Sequence, residues 1–232
     1  MTSDLFSILG NPIFVVPWYG FGLVAGFWVL FDEVTTNKSI NEALKIGWPI
    51  VISFFSIVGL ILYLWTCRPP GIIQVEGEEA NSRHHAYVSS KWKRVTGSVI
   101  HCVAGDGLGI ITAMVIARLL GFSFWNEFWY EYVVGFAFGW FIFQTFAMHN
   151  MGNSLAASLW KGGRAEFLSM ITLMVGMGLV MRFVTPAVTA HSPEPTTAAF
   201  WGLASLGLLV GFVFTFPMNW LLVSIGWKHG MA

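Results

Sequence analysis

Charge is scarce in this chain. Only 10% of its 232 residues are Asp, Glu, Lys or Arg, and the formal net charge is zero, whereas ordinary soluble domains carry about 25% charged residues. So little charge cannot cover a water-facing surface, and the neutral balance argues against nucleic acid as a partner. Cysteine is scarce too: Cys67 and Cys102 stand alone, too few for a disulfide framework, and both are read as thiols. Met1 to Asn11 hold no Lys or Arg, so the basic start of a cleavable secretory signal is missing and the first apolar stretch is expected to stay as a helix. No Cys-x-x-Cys or His-x-x-x-His spacing, nucleotide loop, nucleophile elbow or haem attachment motif is present, which ranks an enzyme behind the other readings.

Apolar residues are plentiful instead. They make up 56% of the chain, with a mean hydropathy of +0.68. The 12 Trp, 21 Phe and 5 Tyr suit a chain that crosses several membrane–water interfaces. A helix needs about 20 mainly apolar residues to span hydrocarbon. Six segments meet that test, roughly Ile13 to Phe31, Gly47 to Thr66, Thr96 to Leu120, Tyr130 to His149, Phe167 to Val184 and Ala198 to Val223. The expected fold is therefore all-α, a polytopic membrane helix bundle of about six transmembrane helices. It divides into two N-terminal helices (1–66), a polar cytoplasmic loop (67–95) and a four-helix region (96–232).

An even number of spans puts both termini on one side, with the second and fourth loops. Arg68, Arg83, Lys91, Lys93, Arg94, Lys161, Arg164 and Lys228 then lie on that side, against Lys38, Lys45, Arg118 and Arg182 opposite. The positive-inside rule makes it the cytoplasm. Gly22 with Gly26, Gly105 with Gly109, Gly135 with Gly139 and Gly207 with Gly211 have the four-residue spacing that lets helices approach closely in lipid. The stretch Asn153 to Arg164 reads as a short interfacial helix or a plain connecting loop.

Ionisable residues inside a bilayer are functional candidates by default. Asp106 lies near the middle of the third span, four residues from Cys102 and so on the same helical face, with His101 beside them. Glu166, Met170, Met174, Met177 and Met181 form a stripe on the fifth span, and the fourth ends with Met148, His149 and Met151. Imidazole, thiolate and carboxylate are metal ligands and thioethers select Cu(I). This gives a candidate copper site of His101, Cys102, Asp106, Met148, His149, Met151, Glu166, Met170 and Met174. Against it stand a buried Asp106 that merely hydrogen-bonds a neighbouring helix and a methionine stripe that is packing.

The segments beginning His101-Cys-Val-Ala-Gly-Asp-Gly-Leu-Gly and Glu131-Tyr-Val-Val-Gly-Phe-Ala-Phe-Gly, together with Glu166-Phe-Leu-Ser-Met and Phe216-Pro-Met-Asn219, resemble the bacterial multi-spanning family catalogued as domain of unknown function 4396. The resemblance covers about residues 95 to 231 and leaves out the first two spans. It implies a multi-pass protein of the bacterial inner membrane and no established activity. Ile171 stands where the family pattern has Asn.

Four functions remain: a soft-metal site for transport, loading or sensing; an accessory subunit, with membrane protein partners or a homo-oligomer around its lateral aromatics; a proton- or solute-coupled carrier using Asp106; and, last, an enzyme. The lipid bilayer is the one partner that all of them share.

Overall fold

The computed structural model of the chain describes residues 6–150 and 152–231, and these are all-α, with no strand among them. Helix α1 is Pro12–Thr35 and α2 is Glu42–Thr66; α3, Gly77–Val88, lies in the segment between α2 and α4, Lys91–Leu119. Helix α5, Phe124–Ala137, runs through a π-helical stretch, Phe138–Gln144, into α6, Thr145–Asn150. Helix α7, Leu155–Leu179, runs in the same way through Val180–Val184 into α8, Thr185–Val188, and α9 is Ala198–Ser224. Six of these runs are long and apolar enough to cross a membrane, at the positions the apolar segments predict.

Local chemistry sets the helix starts. The Asn11 side chain accepts a hydrogen bond from the Ile13 amide at 2.9 Å with Pro12 following it, and Asn41 does the same for Ala43, each satisfying one of the free amides that open a helix. The most apolar 18-residue window of α4 is 78% buried, against 28% for α1. Helix α4 is therefore the central post and α1 a peripheral one.

Helix α2 departs from expectation. Ser56 has φ 52° and ψ −130°, and the chain folds back there. The rings of Trp48 and Tyr63 lie 5.5 Å apart, where continuous helix would separate the two residues by about 22 Å. A Cβ on Gly59 would stand 2.9 Å from Ile52 Cα, so only glycine lets the two arms meet. The expected second span is thus a re-entrant hairpin of residues 42–55 and 57–66. At its tip Phe55 and Ser56 are buried, Ser56 Oγ donates to the Trp18 carbonyl at 2.7 Å, and the Phe54 carbonyl accepts from Trp18 Nε1 at 3.0 Å and Ser205 Oγ at 2.6 Å. Irregular backbone at membrane depth is tolerated only when buried in protein in this way.

Both ends of the hairpin consequently lie at one end of the bundle, the basal end, where α4 begins. Arg68 clamps Asp32 with Nε and Nη2 at 2.8 and 3.0 Å, and Tyr63 donates to the same carboxylate at 2.7 Å. Asn37 Nδ2 donates to the Cys67 carbonyl, and its Oδ1 meets His84 Nδ1 at 2.9 Å. Burial, and after it the neighbouring His85, push the His84 pKa down to about 4.

At the distal end, Tyr19 OH donates to the Trp201 carbonyl at 3.0 Å, which sets the start of α1 beside the start of α9. Helix α9 runs back to the basal end, where Lys91 Nζ donates to Ser224 Oγ. The beginning of α1 and the tail after α9 therefore lie at opposite ends. Six crossings would place these two points at one end; with α2 folded back, five long helices run between the ends. Two further differences are local: the polar segment 67–95 contains helix α3, and residues 155–164 form the first turns of α7 instead of a separate interfacial helix.

Candidate functional site

Helices α4 and α7, the π-helical stretch and the tail after α9 meet around a buried polar cluster at mid-bundle. Asp106 is the sixteenth residue of the 29 in α4, and Cys102 is one turn nearer the basal end. Helix α7 contributes Glu166 and Ser169, and the tail contributes Lys228; all are buried. Lys228 reaches inward because the chain turns at Gly226 (φ 72°) and folds under α4. Its amide and that of Trp227 donate to the Leu222 carbonyl, and the Met231 amide donates to Arg94 O at 3.0 Å. Gly97 and Gly230 leave room for this return.

The Lys228 ammonium donates to Cys102 Sγ and, at 3.2 and 3.5 Å, to Ser169 Oγ and Glu166 Oε2. Cys102 in turn donates to Glu166 Oε2 at 3.2 Å. Asp106 adjoins Glu166: a Cβ built on Gly139 would meet both Asp106 Oδ1 and Glu166 Oε1. No donor reaches either Asp106 oxygen. Adjoining buried carboxyls do not readily both ionise, since like charges at close range repel. Charge balances when ionised Glu166 faces the ammonium and Asp106 holds a proton.

Gly139, in the π-helical stretch, makes space for the pair. A Cβ there would overlap Asp106 Oδ1 and come within 2.8 Å of Glu166 Oε1. Two more glycines close the α4–α5 crossing: a Cβ on Gly109 would stand 2.8 Å from Gly135 Cα. Such π-helical stretches occur disproportionately at functional sites.

A second carboxyl pair lies toward the distal end. Glu127 and Glu131 are both buried, one turn apart on α5. Arg118 Nε, from the last turn of α4, is 2.7 Å from Glu127, while Glu131 is fully buried and both its oxygens lack a hydrogen-bond partner. Eight residues of α5 separate Glu131 from Gly139, about 12 Å of rise. Each pair thus has one basic neighbour, and the glycine-lined crossing lies between them.

The structure brings together Cys102, Asp106 and Glu166 of the predicted set and separates the others. His101 turns away from the thiol, its ring 5.7 Å from that of Phe143. His149 is exposed, its Nδ1 3.1 Å from the Asn153 carbonyl. Met148 is buried in α6, and Met151 lies outside the described residues. Met170 packs its methyl over Gly135, Met177 packs over Gly207, and Met174 lines an outer groove with Phe124 and Phe128. Among the described residues no group of three or more His, Cys, Asp and Glu side chains could hold a metal ion. The point where thiol, carboxylate and hydroxyl converge is filled by an ammonium.

Sequence reasoning missed Lys228, Ser169, Arg118 and the pair Glu127–Glu131. The four-residue spacing of that pair inside an apolar span was the available signal; nothing local marks Lys228, which sits outside the helices.

The family DUF4396, described as a domain of unknown function, matches residues 91–228. The chain belongs to this family. The DUF4396 segment opens with the first residue of α4 and closes on Lys228, so both carboxyl pairs, the π-helical stretch and the ammonium fall inside it. Helix α1 and the hairpin α2 fall outside. No curated protein and no solved structure matches the chain.

Proposed function

We propose that the protein is a multi-pass membrane protein that binds and moves protons across the bilayer, coupled to the movement of a second solute. The observation that carries this is the pair of Asp106 and Glu166, two carboxyls buried side by side at mid-bundle around Gly139. Intramembrane carboxyls at such positions serve proton relays. Glu127 and Glu131 supply a second station. The roughly 12 Å between stations exceeds the reach of a hydrogen bond. Transfer therefore requires the α4–α5 crossing to open, which suits a coupled carrier better than a pore.

The membrane and its sidedness belong to the same reading. With α2 as a hairpin, Lys38, Lys45, Arg68, Arg83, Lys91, Lys93, Arg94, Lys161, Arg164 and Lys228 gather toward the basal end, and Arg118 and Arg182 remain distal. This bias supports a cytoplasmic basal end, in the inner membrane of a bacterium. The soft-metal reading keeps one specific support: Cys102 Sγ, Glu166 Oε2 and Ser169 Oγ converge on a single cation, that of Lys228. A Cu(I) ion would have to displace the ammonium, with Cys102 as its thiolate ligand.

The test is a pH jump on proteoliposomes adsorbed to a solid-supported membrane, which reads charge displacement without any knowledge of the second solute. The parent should give a transient current that Asp106→Asn and Glu166→Gln each reduce at least tenfold. Parental currents no larger than those of protein-free liposomes would overturn the proposal.

A further inference from the structure

The cation in the buried cluster and the groups that bind it come from different parts of the chain. Helices carry the three acceptors: α4 holds Cys102 Sγ, and α7 holds Glu166 Oε2 and Ser169 Oγ. A strap outside the helices, residues 225–231, carries the ammonium. A lysine ammonium has three N–H donors, one for each of these acceptors. The Lys228 side chain is fully buried, so its aliphatic stem fills the path from the strap to the cluster.

The strap lies across the basal mouth between the two helices that supply the acceptors. On one side the Trp227 ring stands 4.6 Å from the Arg164 guanidinium of α7. On the other the Met231 amide donates to Arg94 O of α4 at 3.0 Å. Both contacts are at the surface, since Trp227, Arg164 and Arg94 are all exposed. The strap turns at Gly226, whose φ of 72° suits glycine alone.

We propose that Cys102, Glu166 and Ser169 form a binding site for a small primary ammonium, of the size of the ammonium ion or methylammonium. Lys228 occupies that site as a tethered mimic until the strap swings away at Gly226. The inference rests on the coupled-carrier reading, whose second solute it names. One carboxylate matches one positive charge, three acceptors match three N–H donors, and the methyl of methylammonium takes the place of the lysine Cε. A bare metal cation such as calcium draws its oxygen ligands to about 2.3–2.6 Å, well inside the 3.2 and 3.5 Å at which Ser169 and Glu166 meet the nitrogen. A quaternary ammonium has no N–H to offer.

The test is thermal unfolding of the full chain in detergent, with methylammonium chloride titrated against sodium chloride at equal ionic strength. Lys228→Ala should melt below the parent, and methylammonium should raise its Tm saturably, by at least about 4 °C beyond sodium chloride. The parent should gain no more from methylammonium than from the sodium salt, because its own lysine fills the site. Lys228→Ala combined with Glu166→Gln should lose the gain. No gain in Lys228→Ala, or an equal one from tetramethylammonium, would overturn the proposal. Gly226→Val covers the case in which Lys228→Ala does not fold, since it keeps every site residue and strains the turn that docks the strap. In a Cys67→Ala background it should let N-ethylmaleimide label Cys102 about tenfold faster than in the parent sequence, and methylammonium should slow that labelling. Labelling no faster than in the parent, or indifferent to methylammonium, would equally overturn the proposal. The pH-jump currents need no amine: silent currents with an intact amine response remove the proton reading alone, and the reverse removes the amine site alone.

Discussion

The two halves of the molecule bury polar groups in opposite ways. In the N-terminal unit, α1 and the hairpin α2 hold their buried groups in closed networks: Asp32 is clamped by Arg68 and Tyr63, Asn37 is tied to Cys67 and His84, and Ser56 to Trp18. In the DUF4396 segment, Asp106, Glu131 and Gln144 are equally buried and reach no donor or acceptor. Closed networks fix one conformation; open ones are places where a proton or ligand is still to be accommodated. The first half has exceptions: Glu33, Trp48 Nε1 and His84 Nε2 are buried without a hydrogen-bond partner.

The largest effect expected from this contrast is all-or-none. Because the hairpin does not cross, a reporter placed ahead of α1 and one placed after α9 should score on opposite sides of the membrane. The same side for both would mean that α2 spans, and the closed network at the basal end would then be impossible.

Next in size is the contrast in stability. Arg68→Ala leaves the Asp32 carboxylate buried with only Tyr63 to answer it and should cost about 3–5 kcal/mol of stability. Asp106→Asn should cost under about 1 kcal/mol, since the carboxyl it replaces has no hydrogen bond to lose. Thermal unfolding in detergent measures both. If the two losses match, Asp106 is as structural as Asp32 and the contrast collapses.

The third concerns pH. The folded-state pKa of His84 is depressed to about 4, below the ordinary 6.5 or so. Neutral His84 therefore stabilises the α3 contact at full strength above about pH 6.5, and that stabilisation is lost as pH falls toward about 4. Hydrogen exchange corrected for intrinsic rates should show α3 loosening between about pH 7 and about pH 4.5. His84→Phe should abolish the dependence.

The smallest effect lies at the hairpin tip. Ser56→Ala keeps the left-handed φ and loses the bond to Trp18, costing about 1 kcal/mol. Ser56→Gly loses the same bond but relieves the backbone by about 1 kcal/mol, leaving a net change near zero. Melting temperatures that rank alanine above glycine would show that the backbone at Ser56 is unstrained.

Length and apolarity made the six long helices legible, and the four-residue glycine spacings anticipated the close α4–α5 crossing. The hairpin was not legible. Its turn falls on Ser56, inside the apolar run from Val51 to Leu64, with no Gly-Gly, Asn-Gly or Pro to break the hydropathy signal. Only pairings such as Trp48 with Tyr63 reveal it, and those are set by tertiary packing. At the site, Asp106 was visible because a carboxyl in an apolar span is conspicuous in sequence. Its relation to Glu166 and Gly139 needed three helices in register, and the role of Lys228 needed a tail that folds back, which periodicity does not encode. The methionine stripe shows the reverse: its spacing was correctly periodic, and the side chains pack over glycines of two different helices.

The fold-back at Ser56 also has an electrical meaning. The first arm of the hairpin brings a helix C-terminus to the tip and the second begins there with an N-terminus, so partial charges of about −0.5 and +0.5 meet side by side. Transporters that bind ions at broken helices aim half-helix N-termini at anionic groups and C-terminal ends at cations. Here the opposed half-dipoles cancel, and the tip neither draws an anion nor a cation to mid-membrane. The hairpin can thus serve as an insulating wall beside the charged cluster, leaving the field inside the bundle to be set by Asp106, Glu166 and Lys228.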